Sequence, residues 1–73
     1  MPTVVVHLSE GRTDDQKREI INDITQIFLR QEVPLKGITV ILNEIPNMHY
    51  GLSGKPVADL FKSPEDVSAY FGT

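Results

Sequence analysis

The hydrophobic pattern divides the chain into three periodic segments and a less regular tail. Thr3 to Leu8 reads Thr-Val-Val-Val-His-Leu. It is β-branched and apolar, which predicts a strand. Val4, Val6 and Leu8 share one face, while Thr3, Val5 and His7 share the other. Apolar residues on both faces are the mark of a strand covered on both sides. Ser9-Glu10-Gly11-Arg12 reads as a turn, with Gly11 free to take positive φ. Ile20, Ile21, Ile24, Ile27 and Phe28 then recur at helical spacing. Thr13 with Gln16 three residues later forms a capping-box pattern, and Asp14 and Asp15 suit the positive end of the helix dipole. The helix is expected from about Asp14 to Arg30 or Gln31, stopped by Val33-Pro34. Ile38 to Ile45 predicts the second strand, with Ile38, Val40 and Leu42 on one face and Thr39, Ile41 and Asn43 on the other.

Strand, helix and strand joined by short links make a βαβ unit, with parallel strands and a right-handed crossover. After Pro46 turn formers dominate: Asn47-Met48-His49-Tyr50-Gly51-Leu52-Ser53-Gly54-Lys55-Pro56. A short extended or hairpin segment is expected around Tyr50 to Ser53. Val57 to Phe61 suits one or two helical turns. Ser63-Pro64-Glu65-Asp66 resembles a second capped helix start, and Val67, Tyr70 and Phe71 would pack on a neighbour. The fold class expected is α+β: a βαβ unit plus a short C-terminal hairpin and extension.

Size turns this pattern into a statement about assembly. Seventy-three residues make one small domain whose core is marginal by itself. There are no cysteines, so disulfides and thiolate metal sites are excluded. His7 and His49 lack ligand spacing, so no metal is expected. One helix covers one face of a two-stranded sheet, and the other face would stay bare. Two units paired edge to edge would give a four-stranded sheet, whose bare faces could pack together. Self-association is therefore the expected supplement, without a fixed number of copies.

Charge narrows the partners. The net charge is −3, and Arg12, Lys17, Arg18, Arg30, Lys36, Lys55 and Lys62 form no block. No nucleic-acid partner is expected. The first residues lack a signal-peptide layout, and no apolar run approaches a membrane span, so a cytoplasmic protein without membrane contact is expected.

The candidate chemistry lies at the ends of the first strand. If Met1 is removed, Pro2 becomes a secondary amine. Beside an apolar wall its neutral form would be favoured, as a general base requires. The alternative is a proline that starts a strand because its missing N–H costs nothing there. Residues 2 to 8 span about 20 Å at strand rise, which sets Arg12 at the far end. Pro2 and Arg12 can serve one site only if they come from different subunits. Otherwise Arg12 is an exposed turn residue. Tyr50 could wall a pocket and donate a hydrogen bond, or pack locally. His7 reads as a hydrogen-bonded core residue and His49 as an exposed loop residue.

Taken together, these residues resemble the tautomerase superfamily, specifically its small 4-oxalocrotonate tautomerase-like proteins. The carrying motifs are Met-Pro before a strand, the run Leu8 to Lys17, the run Val40-Ile41-Leu42-Asn43-Glu44, and His49-Tyr50-Gly51-Leu52-Ser53-Gly54. The resemblance implies a tautomerase/MIF-like fold in one domain, 1–73, with a family core over 2–58 and an extension over 59–73. It implies a cofactor-independent, metal-free isomerase acting on enol or keto acids, as in aromatic compound catabolism, with Pro2 as the amino-terminal base. Arg12 would hold a substrate carboxylate from a neighbouring subunit, and Tyr50 would stand where the family usually has a phenylalanine. The Ser9 backbone N–H and Thr39 would supply remaining contacts. Hexamers built as trimers of dimers, with sites shared between subunits, are implied as well.

One position departs from the family. Thr39 stands where the best-known members carry a second arginine. A neutral hydroxyl is the weaker donor. Weaker activity on 2-hydroxymuconate is expected, or preference for another acid such as an aryl enolpyruvate. Two other readings remain open. One is a dehalogenase-, decarboxylase- or hydratase-type enzyme using protonated Pro2. The other is a non-catalytic oligomerising βαβ module, which follows if Met1 is retained and Pro2 is an amide.

Overall fold

The computed structural model describes residues 1–72. The first strand, β1 (Thr3–Ser9), leads into helix α1 (Asp14–Leu29). A single 3-10 turn over Leu35–Gly37 returns the chain to strand β2 (Thr39–Ile45). A second 3-10 turn, Asn47–His49, precedes the hairpin of β3 (Gly51–Leu52) and β4 (Lys55–Pro56). Two helices follow, α2 (Val57–Leu60) and α3 (Pro64–Phe71). The β1–β2 pair is parallel, running in register from Thr3 opposite Thr39 to Ser9 opposite Ile45. The β3–β4 pair is antiparallel, with Gly51 opposite Pro56 and Leu52 opposite Lys55. This is the expected α+β arrangement: a parallel βαβ core carrying a short hairpin and helical extension.

The alternation of the strands decides their two faces. Val4, Val6, Leu8, Val40 and Leu42 are half-buried, whereas Thr3, Val5, His7, Thr39, Ile41 and Asn43 are exposed. Ile20, Ile24 and Phe28 of α1 are half-buried as well. On the bare face Val5 keeps 48% and Ile41 45% of its surface in solvent. His7 therefore differs from its expected place in a core. Its Nδ1 lies 3.0 Å from Asn43 Nδ2 on the bare face of the protomer, so it has its hydrogen-bond partner without the burial.

Both ends of α1 follow from local chemistry. Thr13 is extended at φ −70° and ψ 161°. Its Oγ1 accepts the Gln16 N–H at 3.1 Å, and Gln16 Oε1 accepts the Thr13 N–H at 2.9 Å. At the other end the helix stops at Leu29, one or two residues earlier than the Val33-Pro34 signal suggests. The stop is built by backbone geometry. The Val33 N–H bonds to the Phe28 carbonyl and the Glu32 N–H to the Leu29 carbonyl, both at 3.1 Å. That pair of bonds is a Schellman ending, which needs a left-handed residue. Glu32 supplies it at φ 64°, where glycine is usual. The second strand also begins one residue later than expected, because the Ile38 N–H closes the preceding 3-10 turn onto Leu35.

An ion pair ties helix to sheet. Lys17 Nζ lies 2.6 Å from Glu44 Oε1 on β2 and 3.7 Å from Asp14 Oδ1. The hydrogen bond to Glu44 raises the Lys17 ammonium above its ordinary 10.5.

The protomer does not close on itself. Among the described residues Val57 is the one buried hydrophobic side chain, at 6% exposure. The accessible surface is 5515 Å² for a chain of 8.2 kDa. A compact monomer of that mass exposes roughly 4500 Å². The Cα radius of gyration is 15.5 Å, against about 11 Å for a compact chain of this length. The principal extents of 42 × 23 × 21 Å describe an elongated body.

Two outcomes are expected. Glu32→Gly removes a left-handed strain of about 1 kcal/mol or more while adding some freedom to the unfolded chain. Chemical denaturation should show a net gain of at most about 1 kcal/mol, whereas Glu32→Val should lose stability. Lys17→Met should lower the denaturation midpoint at neutral pH. A raised lysine stabilises fully below its unfolded value and loses that contribution as pH rises through the folded one. The gap between the two proteins should therefore hold up to pH 10.5 and close above it.

Candidate functional site

Parallel pairing sorts the candidate residues into two groups at opposite ends of the sheet. At the N-terminal end Pro2 is half-buried, and its carbonyl accepts the Thr39 N–H at 3.1 Å. Thr3 sits opposite Thr39, so both threonines lie on the bare face beside Pro2. Met1 projects beyond them with 99% of its surface exposed. Its Cγ would stand 3.5 Å from a Cβ added at Gly37.

At the other end Ser9 is half-buried opposite Ile45. The next residue anchors the loop twice. The Glu10 N–H donates to the Ile45 carbonyl at 3.1 Å, and Glu10 Oε1 accepts the Asn47 N–H at 3.2 Å. Gly11 then turns at φ 121°, a value that side chains disfavour, with nothing within 4 Å of an added Cβ. Arg12 leaves the turn exposed and, among the described residues, in no ion pair. Tyr50 is half-buried just after the turn that Glu10 holds. Its carbonyl accepts the Val57 N–H at 2.8 Å.

Pro2 and Thr39 therefore come together, and Ser9 and Arg12 come together, separated by the strand length of about 20 Å. No pocket forms within one protomer among the described residues. A site using both groups has to be assembled from more than one chain. Among the described residues, no three His, Asp or Glu side chains converge as metal ligands.

The chemistry expected of Pro2 needs correction. Met1 precedes it in the structure, so the Pro2 nitrogen lies in a peptide bond. An amide nitrogen shares its lone pair with the carbonyl and takes up no proton near neutral pH. In this chain Pro2 is neither a general base nor a cationic acid. The assignment of the chain as a proline-based keto–enol isomerase falls with it, as does the description of Pro2 as an amino-terminal proline. The protonated-Pro2 enzymes fall for the same reason.

Three features escaped the sequence. Glu10 serves as a brace between the Arg12 loop and the Asn47 turn, a pairing of residues 37 apart that no local pattern announces. Asn47 Oδ1 is buried and accepts no hydrogen bond from the described residues. Tyr70 Oη lies 2.6 Å from Ser53 Oγ, which links the last helix to the hairpin turn. The capped start at Ser63 and the apolar Val67, Tyr70 and Phe71 pointed toward that helix but not toward its partner.

Comparison with known proteins agrees with this architecture. The Tautomerase enzyme family matches residues 2–60. A 2-hydroxymuconate tautomerase of Stutzerimonas stutzeri is 36% identical over 56 residues, covering 75% of this chain and 89% of its own. The crystal structure of an apo unfused 4-oxalocrotonate tautomerase superposes with a TM-score of 0.75 at 34% identity, over 82% of this chain and 100% of that one. A heterohexamer 4-oxalocrotonate tautomerase from Chloroflexus aurantiacus gives a TM-score of 0.74 at 28% identity, over 82% of this chain and 98% of that one. Fold, strand order and the matched segment together show that the chain belongs to the tautomerase superfamily, among its 4-oxalocrotonate tautomerase-like members.

Proposed function

We propose that the chain with Met1 attached is an oligomerising βαβ module that binds small enol or keto carboxylates between its copies and lacks a proline base. One observation carries this: the Pro2 nitrogen is an amide, while the two groups of candidate residues stand at opposite ends of the sheet. Homo-oligomeric assembly is typical of the family to which the chain belongs. The unclosed core supports it physically. Val5 and Ile41 on the bare face, with Ile21 at 39% and Ile27 at 43% exposure on the helix, are apolar surface that a second copy would remove from water. Each strand of the two-stranded sheet also has a free edge. A hexamer arranged as a trimer of dimers is the assembly we favour, six subunits being also the count in the heterohexameric relative from Chloroflexus aurantiacus.

Within that assembly each residue has a role set by its chemistry. Arg12, exposed and without an ion-pair partner among the described residues, holds the ligand carboxylate with a charge-assisted fork. The Ser9 backbone N–H adds a neutral donor. Tyr50 walls the cavity, offering an apolar ring and a hydroxyl. Thr39 stands beside Pro2 from the neighbouring copy and contributes a hydroxyl in place of a second cation. A site with one guanidinium and no second cation suits a monocarboxylate with an apolar tail better than a dicarboxylate. No cofactor enters this role.

Several measurements test the proposal. Native mass spectrometry should give six copies of the 8.2 kDa chain, and a monomer at micromolar concentration would refute the assembly. Phenylpyruvate binding should weaken at least tenfold in Arg12→Ala, the scale of a lost charged hydrogen bond. Thr39→Arg should shift preference toward 2-hydroxymuconate. Protein whose intact mass includes Met1 should leave the ketonisation of 2-hydroxymuconate at its buffer rate. Turnover by that species would overturn the non-catalytic role, whereas turnover confined to protein lacking Met1 leaves it standing, since the Pro2 nitrogen is then a different group.

A further inference from the structure

The hairpin beside Tyr50 is too small to hold its own shape. Its strands are two residues each, and an isolated two-stranded hairpin is marginal in water even when longer. Its turn adds strain. Ser53 at φ 53° and Gly54 at φ 80° are both left-handed, as a two-residue turn of the mirror type requires. Glycine takes this conformation freely, but serine does not. Something outside the hairpin has to keep Ser53 in place.

The last helix supplies it. Tyr70 Oη and Ser53 Oγ are 2.6 Å apart, the single hydrogen bond between α3 and the hairpin among the described residues. Tyr70 is held in turn by aromatic packing. Its ring meets Phe61 edge to face at 5.3 Å and 81°, and Phe71 at 5.0 Å and 77°. The helix that presents it is fastened at both ends. Ser63 Oγ accepts the Asp66 N–H at 3.3 Å, and Asp66 Oδ2 accepts the Lys62 N–H at 2.9 Å. Gly72, left-handed at φ 75°, sends its N–H to the Ser68 carbonyl at 2.9 Å.

These contacts close a ring. Tyr70 holds Ser53, and the hairpin runs from Ser53 back to Gly51, next to Tyr50. The Tyr50 carbonyl accepts the Val57 N–H, and the Val57 carbonyl accepts the Phe61 N–H at 2.9 Å. Phe61 packs on Tyr70. The helix follows the segment matched by the family, which ends at residue 60.

We propose that Tyr70 is a positioning residue: its hydroxyl clamps the Ser53–Gly54 turn and so fixes the backbone of Tyr50. The consequence for ligand binding rests on Tyr50 as a wall of the proposed carboxylate site. The consequence for backbone order does not. The amide of Val57 reports on the clamp directly, because it donates to Tyr50.

The test is amide hydrogen exchange on full-length protein, paired with phenylpyruvate titration. Tyr70→Phe keeps the ring and removes the hydroxyl. Val57 should exchange roughly tenfold faster, the size of one net hydrogen bond, while amides of the β1–β2 ladder keep their rates. Ser53→Ala should produce the same change, and the double variant no more than either single one. Phenylpyruvate affinity should fall several-fold in Tyr70→Phe. An unchanged Val57 rate overturns the clamp. Equal acceleration at Val57 and in the β1–β2 ladder also overturns it, since that marks a general loss of stability. Faster Val57 exchange with unaltered phenylpyruvate affinity overturns the positioning role. If wild-type protein binds no phenylpyruvate, the proposed carboxylate site fails, and the exchange rates alone decide the clamp.

Discussion

Parallel pairing of β1 with β2 is the constraint from which the rest of the molecule follows. Two parallel strands cannot be joined by a tight turn. The chain has to travel back along the sheet, and α1 makes that journey. The crossover places both strand beginnings at one end and both strand ends at the other. Pro2 and Thr39 become neighbours by this topology alone, and so do the Ser9–Arg12 loop and the Asn47 turn that Glu10 braces. No side-chain rearrangement within one chain brings the two groups together, because the sheet itself stands between them.

The same constraint leaves the protomer short of a core. One helix can cover one side of two strands. The Lys17–Glu44 pair fixes how α1 lies on β2, but it adds no apolar burial. The C-terminal third contributes Val57, at the base of the hairpin, the one buried hydrophobic side chain among the described residues. The molecule thus has two small centres of order, the βαβ layer and the hairpin with its helices. Each presents apolar surface outward, and Phe71 of the second keeps 60% of its surface in solvent.

Much of this was legible in the chain because the signals were local. The alternation of Thr3 to Leu8, the Thr13–Gln16 box and the isoleucine stripe each specify an element without help from distant residues. Ser63-Pro64 announced α3 in the same way. What escaped depended on backbone conformation or on long-range partners. The end of α1, expected at Arg30 or Gln31 from the Val33-Pro34 signal, falls at Leu29 because Glu32 adopts a left-handed turn that its residue type disfavours. His7 was assigned to a core that the protomer does not contain. Pro2 and Arg12 stand at opposite ends of β1, a separation that strand rise implies from their spacing alone. The base assigned to Pro2 failed because it depends on a covalent state, free amine or amide, that residue order leaves open. Tyr70 on Ser53 joins residues 17 apart through two hydroxyls, and no periodicity encodes it.

The elongated outline has a kinetic meaning. A 42 Å body with so little buried surface reaches only part of its stability by folding alone. The remainder arrives through encounter, so the free energy of the native state carries a term in protein concentration. Dilution then acts as a denaturant, and refolding acquires a second-order phase once the intrachain elements have formed. In a cell, the lifetime of a newly made chain would depend on how many sister chains are present when it leaves the ribosome.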